Sequence, residues 1–317
     1  MTEIVNVVGG DGTLVDVVFL HGLDGDAQST WAAAGWPGWL GWLGADLPAV
    51  AIWTVGYGAG SSGWRRRRAI PIVDRATNLL ALLENVGIGQ RPVCFVVHSM
   101  GGLILKEMLL DSADGGINPA LASATRAVAF LATPHNGSRL ADFADRFRSV
   151  YRGTPAIVDL KRDDAHLRRA SSRYRLWAAR SGAAHLVFFE TLSVKGLRVV
   201  DEGSSDPGIA GARPIPVDAD HSGICKPDSR QSLVYGQIRD LLQRVVDEVA
   251  PGRFPGGNTD AHSGSQALKV SVSPYIRVTT RDALGRSIEI QAFDREAISI
   301  VLHELRLTDT PEGSSHD

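Results

Sequence analysis

The sequence predicts an α/β protein in which a mostly parallel sheet carries helices on both faces. Three observations support this prediction. Short apolar, β-branched runs alternate with helix-length amphipathic segments along most of the chain. A serine, Ser99, lies directly between one such run and the helix that follows it. A histidine, His221, comes late in the chain, after the last of the strand-like runs.

Composition excludes several classes of protein. A chain of 317 residues allows one large α/β domain with a small appendage. Its content of 44% hydrophobic and 21% charged residues is that of a globular protein with a sizeable core. With 33 Lys and Arg against 35 Asp and Glu, the net charge is −2, so no overall field draws the chain to nucleic acid or to an anionic membrane. We expect no nucleic-acid partner, and any membrane contact must be local.

Several features predict a cytoplasmic protein. Cys94 and Cys225 are too few for a disulfide framework and lack the spacing of metal ligands. The N-terminus has no basic segment followed by an apolar one and matches a strand–turn–strand rather than a signal peptide. The most hydrophobic stretch, residues 36–60, is interrupted by Asp46, Pro48 and several glycines, which argues against a membrane-spanning helix.

The predicted elements alternate in the order that a parallel sheet needs. The strand-like runs are residues 14–20, 51–57, 92–97, 127–133 and 185–190. Helices are predicted between some of them, at residues 76–85 and 102–111. From residue 229 to residue 250, apolar residues recur at three- and four-residue intervals until Pro251 ends the pattern, which predicts a C-terminal helix covering the sheet.

The chain is predicted to contain two modules. Residues 1–250 form the main domain, with a cap or insertion at about 139–182. Residues 251–266 hold four glycines, two prolines and little to bury, which predicts a flexible linker. Residues 267–308 are predicted to form a small ββα appendage, and residues 309–317 a disordered tail. Because about 40 residues are few for an independent fold, docking or homo-oligomerisation through this appendage is expected.

Ser99 is the predicted nucleophile. Because it lies between a strand and a helix, a tight turn should hold its side chain above the sheet edge, and the N–H of Met100 should point where an oxyanion forms. The glycine usual two residues before such a serine is Val97 here, while Gly101 allows close approach on the other side. The alternative interpretation is a serine that only caps a helix.

Two other segments complete the pattern. The glycine-rich turn that follows Leu20 is the place where a second backbone N–H reaches the oxyanion, and we predict Leu23 as that donor. His221 lies between the last strand signals and the C-terminal helix, where the chain order Ser, acid, His puts the general base. His135 follows another strand and is interpreted either as lining the pocket or as a structural histidine.

From Val17 to about Val246 the chain resembles the serine-active-site-containing protein family, lipase-like α/β-hydrolases related to the glycosylphosphatidylinositol inositol-deacylases. The matching segments are FLHGLDGDAQSTW, WLGADLP, VGYG, VVHSMGGLILKEMLL, FLATPHNGSRLADFA, FFET and PVDADHSGICKP. The resemblance implies an α/β-hydrolase fold and a Ser-acid-His esterase, with lipids as the commonest proposed substrates. The part of the chain beyond Pro251 lies outside it.

Two residues are candidates for the acid. Glu190 ends the strand-like run at 185–190, where the penultimate strand should deliver the acid, and it matches the acidic position of the FFET segment. Asp201 is the alternative, one predicted strand further on. Asp218 and Asp220 lie too close in sequence to His221 to orient its far nitrogen, and we interpret them as residues that structure the loop.

The cap region, residues 139–182, holds eleven Arg and Lys against five Asp and Glu. Apolar residues at near-helical spacing run through it. Two interpretations are open. It is either a solvated cap helix or a surface for anionic headgroups that would bring the protein to a membrane.

Two hypotheses about function follow. The first is a serine esterase acting on a small-molecule or lipid ester through an acyl-enzyme, a mechanism that requires no metal or cofactor. The second is a regulatory or interaction protein that keeps the hydrolase fold as a binding platform, either partner-regulated or without catalysis. Only an activated serine reacts with a fluorophosphonate, so labelling distinguishes them.

Overall fold

The computed structural model describes residues 2–10, 12–32, 35–58, 70–135, 140–151, 164–250, 276–281 and 287–292. The chain divides into two units, Met1–Phe254 and Pro255–Asp317. The boundary falls inside the segment predicted as a linker, which itself lies outside the described residues.

The first unit is built on a seven-stranded sheet with the order β1-β3-β2-β4-β5-β6-β7. Its strands are β1 (Glu3–Val8), β2 (Val15–Leu20), β3 (Val50–Gly56), β4 (Val93–His98), β5 (Thr125–Leu131), β6 (Ala184–Glu190) and β7 (Pro214–Val217). The edge strand β1 runs antiparallel to β3, and every other pair is parallel. All parallel strands therefore deliver their carboxyl ends to one edge of the sheet, where ligands of such sheets bind.

The helices connect these strands. They are α1 (Trp39–Asp46), α2 (Ile72–Asn85), α3 (Met100–Ala113), α4 (Leu121–Ala124), α5 (Leu140–Tyr151), α6 (Asp164–Ser181), α7 (Glu202–Ser205) and α8 (Leu233–Val249). Among the described residues, no helix is long and apolar enough to span a membrane.

Strand order decides which face each helix covers. The chain moves from β2 to β3 in one direction along the sheet and from β3 through β4 and β5 to β6 in the other. Because parallel crossovers are right-handed, α1 lies on one face and α2, α3 and α6 on the opposite face. The packing agrees, since α3 contacts α2 and α6, whereas α1 contacts α8. The predicted parallel sheet covered on both faces is confirmed.

Burial on both faces explains why the central strands appear in the sequence as continuous apolar runs. Every residue of β2 and β4, at the centre of the sheet, is buried. Strands with helices on both faces have no solvent side and need no polar alternation. The segment around Asp201 differs from its prediction: it forms no strand, because Asp201 caps the short helix α7. The seventh strand is instead the four-residue β7, in which two prolines hid the signal.

The described helices of the predicted cap have different surroundings. α6 packs on α3 and thus covers the sheet. α5 brings Phe143 and Phe147 close to the ring of His221. Of these two described helices, α5 is therefore the one beside the residues predicted to be catalytic.

In the second unit, β8 (Ile276–Arg281) and β9 (Ser287–Ala292) form an antiparallel pair. Both strands fall within residues 267–308, which are predicted to form the ββα appendage. The helix predicted for that appendage and the tail predicted at residues 309–317 lie outside the described residues.

Candidate active site

Ser99 lies on a sharp turn between β4 and α3. Its backbone angles are φ 53° and ψ −124°, a conformation that a residue with a side chain rarely adopts. The Ser99 N–H donates to the carbonyl of Leu131 at the end of β5, 2.9 Å away. The turn is thus fixed to the carboxyl edge of the sheet, as the sequence predicts for a nucleophile.

Two glycines let neighbouring segments approach this turn. A Cβ on Gly22 would lie 2.7 Å from the Cβ of Ser99, and a Cβ on Gly101 would lie 2.5 Å from the carbonyl oxygen of His21. Both positions therefore exclude larger residues. Val97, which stands where glycine is usual, lies within β4 with its side chain fully buried in the core.

The structure brings Ser99, His221 and Glu190 together. The Nε2 atom of His221 lies 3.0 Å from the Oγ of Ser99, and its Nδ1 lies 3.3 Å from the Oε1 of Glu190. All three side chains are buried. With a proton on Nδ1 donated to the carboxylate, Nε2 is left to accept the serine proton.

Glu190 is held by the chain that follows β6. Its Oε1 also accepts the N–H of Val200 at 2.6 Å. Its Oε2 is buried and has no hydrogen-bond partner among the described residues. One oxygen of the carboxylate thus carries the contact to His221 and the link to the following loop.

Asp201, the alternative acid, has other partners. Its Oδ1 accepts the N–H of Ser204 at 2.9 Å and caps α7. Its Oδ2 accepts from the guanidinium of Arg146 on α5, 3.0 Å away. Both carboxylate oxygens of Asp201 are thus engaged by the cap of α7 and by α5, and it is Glu190 that contacts the Nδ1 of His221.

The loop that carries His221 is structured by Asp220. The Oδ1 of Asp220 accepts the N–H groups of Ser222 and Gly223, at 3.0 and 2.7 Å. These bonds form the Asx turn expected of a loop-structuring aspartate. The side chain of Asp218, in turn, lies 3.3 Å from the hydroxyl of Thr191.

The turn after β2 lies against the serine turn. Leu23, the predicted oxyanion donor, is buried there, and Met100 is the first residue of α3. The turn is held by His21, whose ring stacks on Tyr57 with 4.0 Å between centroids and whose carbonyl accepts from the Tyr57 hydroxyl. The roles of the Leu23 and Met100 N–H groups stay predictions.

A cavity of about 150 Å³ adjoins these residues. It is lined by Leu23, Asp24, Gly25, Ser29, Thr30, His98, Phe147, His221, Ser222, Cys225 and Lys226. Ser99 itself is 0% exposed, and Phe143 and Phe147 of α5 lie 6.3 and 6.0 Å from the His221 ring, between centroids. The helix α5 therefore places two aromatic rings beside the ring of His221. Among the described residues, no group of three or more His, Cys, Asp or Glu side chains is placed to hold a metal ion.

Sequence reasoning missed His98 and the two phenylalanines. The imidazole of His98 contacts the main chain of His221, and the strand position directly before the serine is the signal that could have indicated it. His135, by contrast, is buried against Phe130 and does not line the cavity. Its ring nitrogens have no hydrogen-bond partner among the described residues. Its main-chain N–H donates to the carbonyl of Ser204.

A buried histidine, His21, and a half-buried one, His185, predict a loss of stability in mild acid. Burial lowers the pKa of His21 and that of His185 to about 4 each, against 6.5 for an unperturbed histidine. Between these values the unfolded chain binds protons that the folded chain does not, so the free energy of unfolding falls as the pH falls from 6.5 towards 4. Each histidine contributes a slope of up to about 1.4 kcal/mol per pH unit.

Urea unfolding at pH 7, 6 and 5 measures this slope. His185→Gln is the matched control, because glutamine does not titrate and can still pair with the hydroxyl of Tyr174. We expect this variant to lose the contribution of one histidine from the slope. A free energy of unfolding that does not change between pH 7 and pH 5 would contradict the assignment of neutral buried imidazoles.

The sheet order and the serine turn define a class of protein. The sheet is parallel except for its first strand, a serine lies on the strand-to-helix turn after β4, and a histidine follows the last strand of the sheet. This is the arrangement of the α/β-hydrolase fold. This fold, predicted above, is confirmed.

Comparison with known proteins confirms the resemblance to the serine-active-site-containing family. The chain is 33% identical over 258 residues to "Protein SERAC1" of Homo sapiens, an alignment covering 73% of this chain and 39% of that protein. It is 31% identical over 260 residues to "Protein SERAC1" of Danio rerio, covering 73% and 39%. The chain thus spans about two fifths of the length of the curated relatives it matches. No family model matches the sequence.

Solved structures with similar backbones are esterases, lactonases and lipases by name. The enol-lactonase from Burkholderia xenovorans LB400 is 19% identical with a TM-score of 0.47, covering 77% of this chain and 96% of that chain. Est1E from Butyrivibrio proteoclasticus, solved with ferulic acid bound, is 12% identical with a TM-score of 0.48, covering 77% and 94%.

Proposed function

We propose that this protein is a serine hydrolase that cleaves a carboxylic ester of a lipid or another acyl compound. One observation carries the proposal: the buried series from Ser99 Oγ through His221 to Glu190, with distances of 3.0 and 3.3 Å. A buried serine, imidazole and carboxylate in this order form the arrangement that activates a serine for acyl transfer.

The first half of the reaction forms an acyl-enzyme. Ser99 Oγ attacks the ester carbonyl carbon while His221 Nε2 takes the hydroxyl proton, and Glu190 stabilises the resulting imidazolium. The N–H groups of Leu23 and Met100 donate to the oxyanion. The bond to the leaving alcohol then breaks, and His221 returns the proton to the alcohol oxygen.

The second half releases the acid. Water attacks the acyl carbon as His221 Nε2 takes one of its protons, and the bond between the carbonyl carbon and Ser99 Oγ breaks. The serine oxygen recovers its proton from His221. The cavity lining combines the apolar side chains of Leu23 and Phe147 with polar and charged ones. The apolar part of the lining supports an acyl group as substrate.

Labelling with a fluorophosphonate tests the proposal directly. We expect one covalent adduct, located at Ser99 by peptide mass spectrometry, because only a serine with an adjacent base reacts. Ser99→Ala should not label, whereas Ser172→Ala should label like the parent, since Ser172 lies exposed on α6. A folded parent protein that does not label would favour the alternative of a non-catalytic interaction protein.

A further inference from the structure

His98 links the strand of the nucleophile to the loop of the base. Its Nε2 lies 2.9 Å from the main-chain oxygen of His221, and the two rings are 4.8 Å apart between centroids. A carbonyl oxygen can only accept a hydrogen bond, so Nε2 carries the proton and donates it. His98 is buried, and its bond joins β4 to a loop that comes from the far end of the sheet.

The other side of the His98 ring faces the turn after β2. A Cβ placed on Gly22 would lie 3.1 Å from His98 Nδ1, and His98 and Leu23 line the same cavity. The imidazole thus lies between the loop predicted to bind the oxyanion and the loop that carries the proposed general base, and it contacts both. Both loops flank Ser99, the residue that follows His98.

The charge of His98 is compatible with this position. Burial, and next the neighbouring His221, hold the pKa of His98 well below its usual value, so the ring is neutral. A second cation beside His221 would oppose the imidazolium that forms there during the reaction. A neutral donor can fix the main chain of His221 without that penalty.

We propose that His98 is a positioning residue, whose Nε2–H fixes the main chain of His221 and so keeps His221 Nε2 within reach of Ser99 Oγ. This inference rests on the proposed hydrolase function. Loss of the bond leaves a buried carbonyl unpaired and frees the loop to shift, and a misplacement of about 1 Å costs about 100-fold in rate. The effect falls on kcat, because the bond positions the general base for the chemical step.

Three variants test the proposal on short p-nitrophenyl esters. His98→Leu removes the donor and should lower kcat by about 100-fold with KM little changed. His98→Gln can donate an amide N–H to the same carbonyl and should restore kcat to within about ten-fold of the parent. His135→Leu, which removes a buried imidazole that does not line the cavity, should leave kcat unchanged.

Rescue by glutamine is a readout that a merely structural role would not move, because glutamine differs from leucine in being able to donate to the His221 carbonyl. The proposal is overturned if His98→Leu loses less than about ten-fold in kcat, or if folded His98→Gln is more than about ten-fold slower than the parent. If His98→Leu does not fold, His98→Gln decides alone.

The failure of the underlying function gives a different result. A parent protein without Ser99-dependent hydrolysis or fluorophosphonate labelling refutes the hydrolase proposal itself. A parent protein that hydrolyses esters through Ser99 while His98→Leu matches its kcat refutes only the role of His98.

Discussion

We expect the substitution of Ser99 by alanine to abolish ester hydrolysis. In the proposed mechanism the hydroxyl oxygen is the atom that bonds to the acyl carbon, so its loss leaves only the binding of the transition state by the oxyanion donors. Loss of a catalytic serine from such a set lowers kcat by about six orders of magnitude. His221→Ala should cost about as much, and the double variant little more, because the residues act as one unit.

The measurement is the Ser99-dependent rate on p-nitrophenyl acetate and butyrate, with Ser172→Ala as the matched control. Thermal unfolding of Ser99→Ala should stay close to that of the parent, since the substitution removes a single buried hydrogen bond, worth about 1 kcal/mol. Hydrolysis by folded Ser99→Ala at a rate near that of the parent would refute the mechanism.

We expect the neutralisation of Glu190 to lower kcat by about three to four orders of magnitude. Glu190→Gln keeps the shape of the side chain, but its amide can donate to Nδ1 of His221 and so favours the tautomer that carries its proton on Nε2. An imidazole with that proton cannot accept another from Ser99. The defect should appear equally in hydrolysis and in the rate of fluorophosphonate labelling.

Asp201→Asn is the matched comparison for Glu190→Gln. Asparagine caps a helix about as well as aspartate does, so α7 should keep its cap, and the main loss is the half-exposed ion pair with Arg146. We expect less than a ten-fold change in kcat. If Asp201→Asn instead loses activity by orders of magnitude and Glu190→Gln does not, the assignment of the acid is wrong.

Much of the fold could be predicted from the sequence because its signals are local. Central strands buried on both faces appear as unbroken apolar runs, and the stop signal of α8 at Pro251 lies next to the helix it ends. The turn at Ser99 likewise requires only a strand before it and a helix after it. Such features need no knowledge of distant residues.

The parts of the site that the sequence left open or missed depend on contacts between distant segments. Glu190 and Asp201 lie eleven residues apart, and both follow apolar stretches, so no local signal separates them. The structure distinguishes them by their hydrogen-bond partners. Glu190 contacts the N–H of Val200 and the ring of His221, whereas Asp201 contacts the guanidinium of Arg146. The covering of His221 by α5 depends in the same way on a helix far from it in sequence.

The backbone conformation of residue 99 has a cost in folding stability. A residue with a side chain at φ 53° and ψ −124° costs on the order of 1–3 kcal/mol, a cost that glycine largely avoids. A chain optimised for stability alone would thus carry glycine here and would gain a good part of the margin by which domains of this kind stay folded. In the proposed mechanism, this loss of stability is what places the hydroxyl of Ser99 beside the Nε2 of His221.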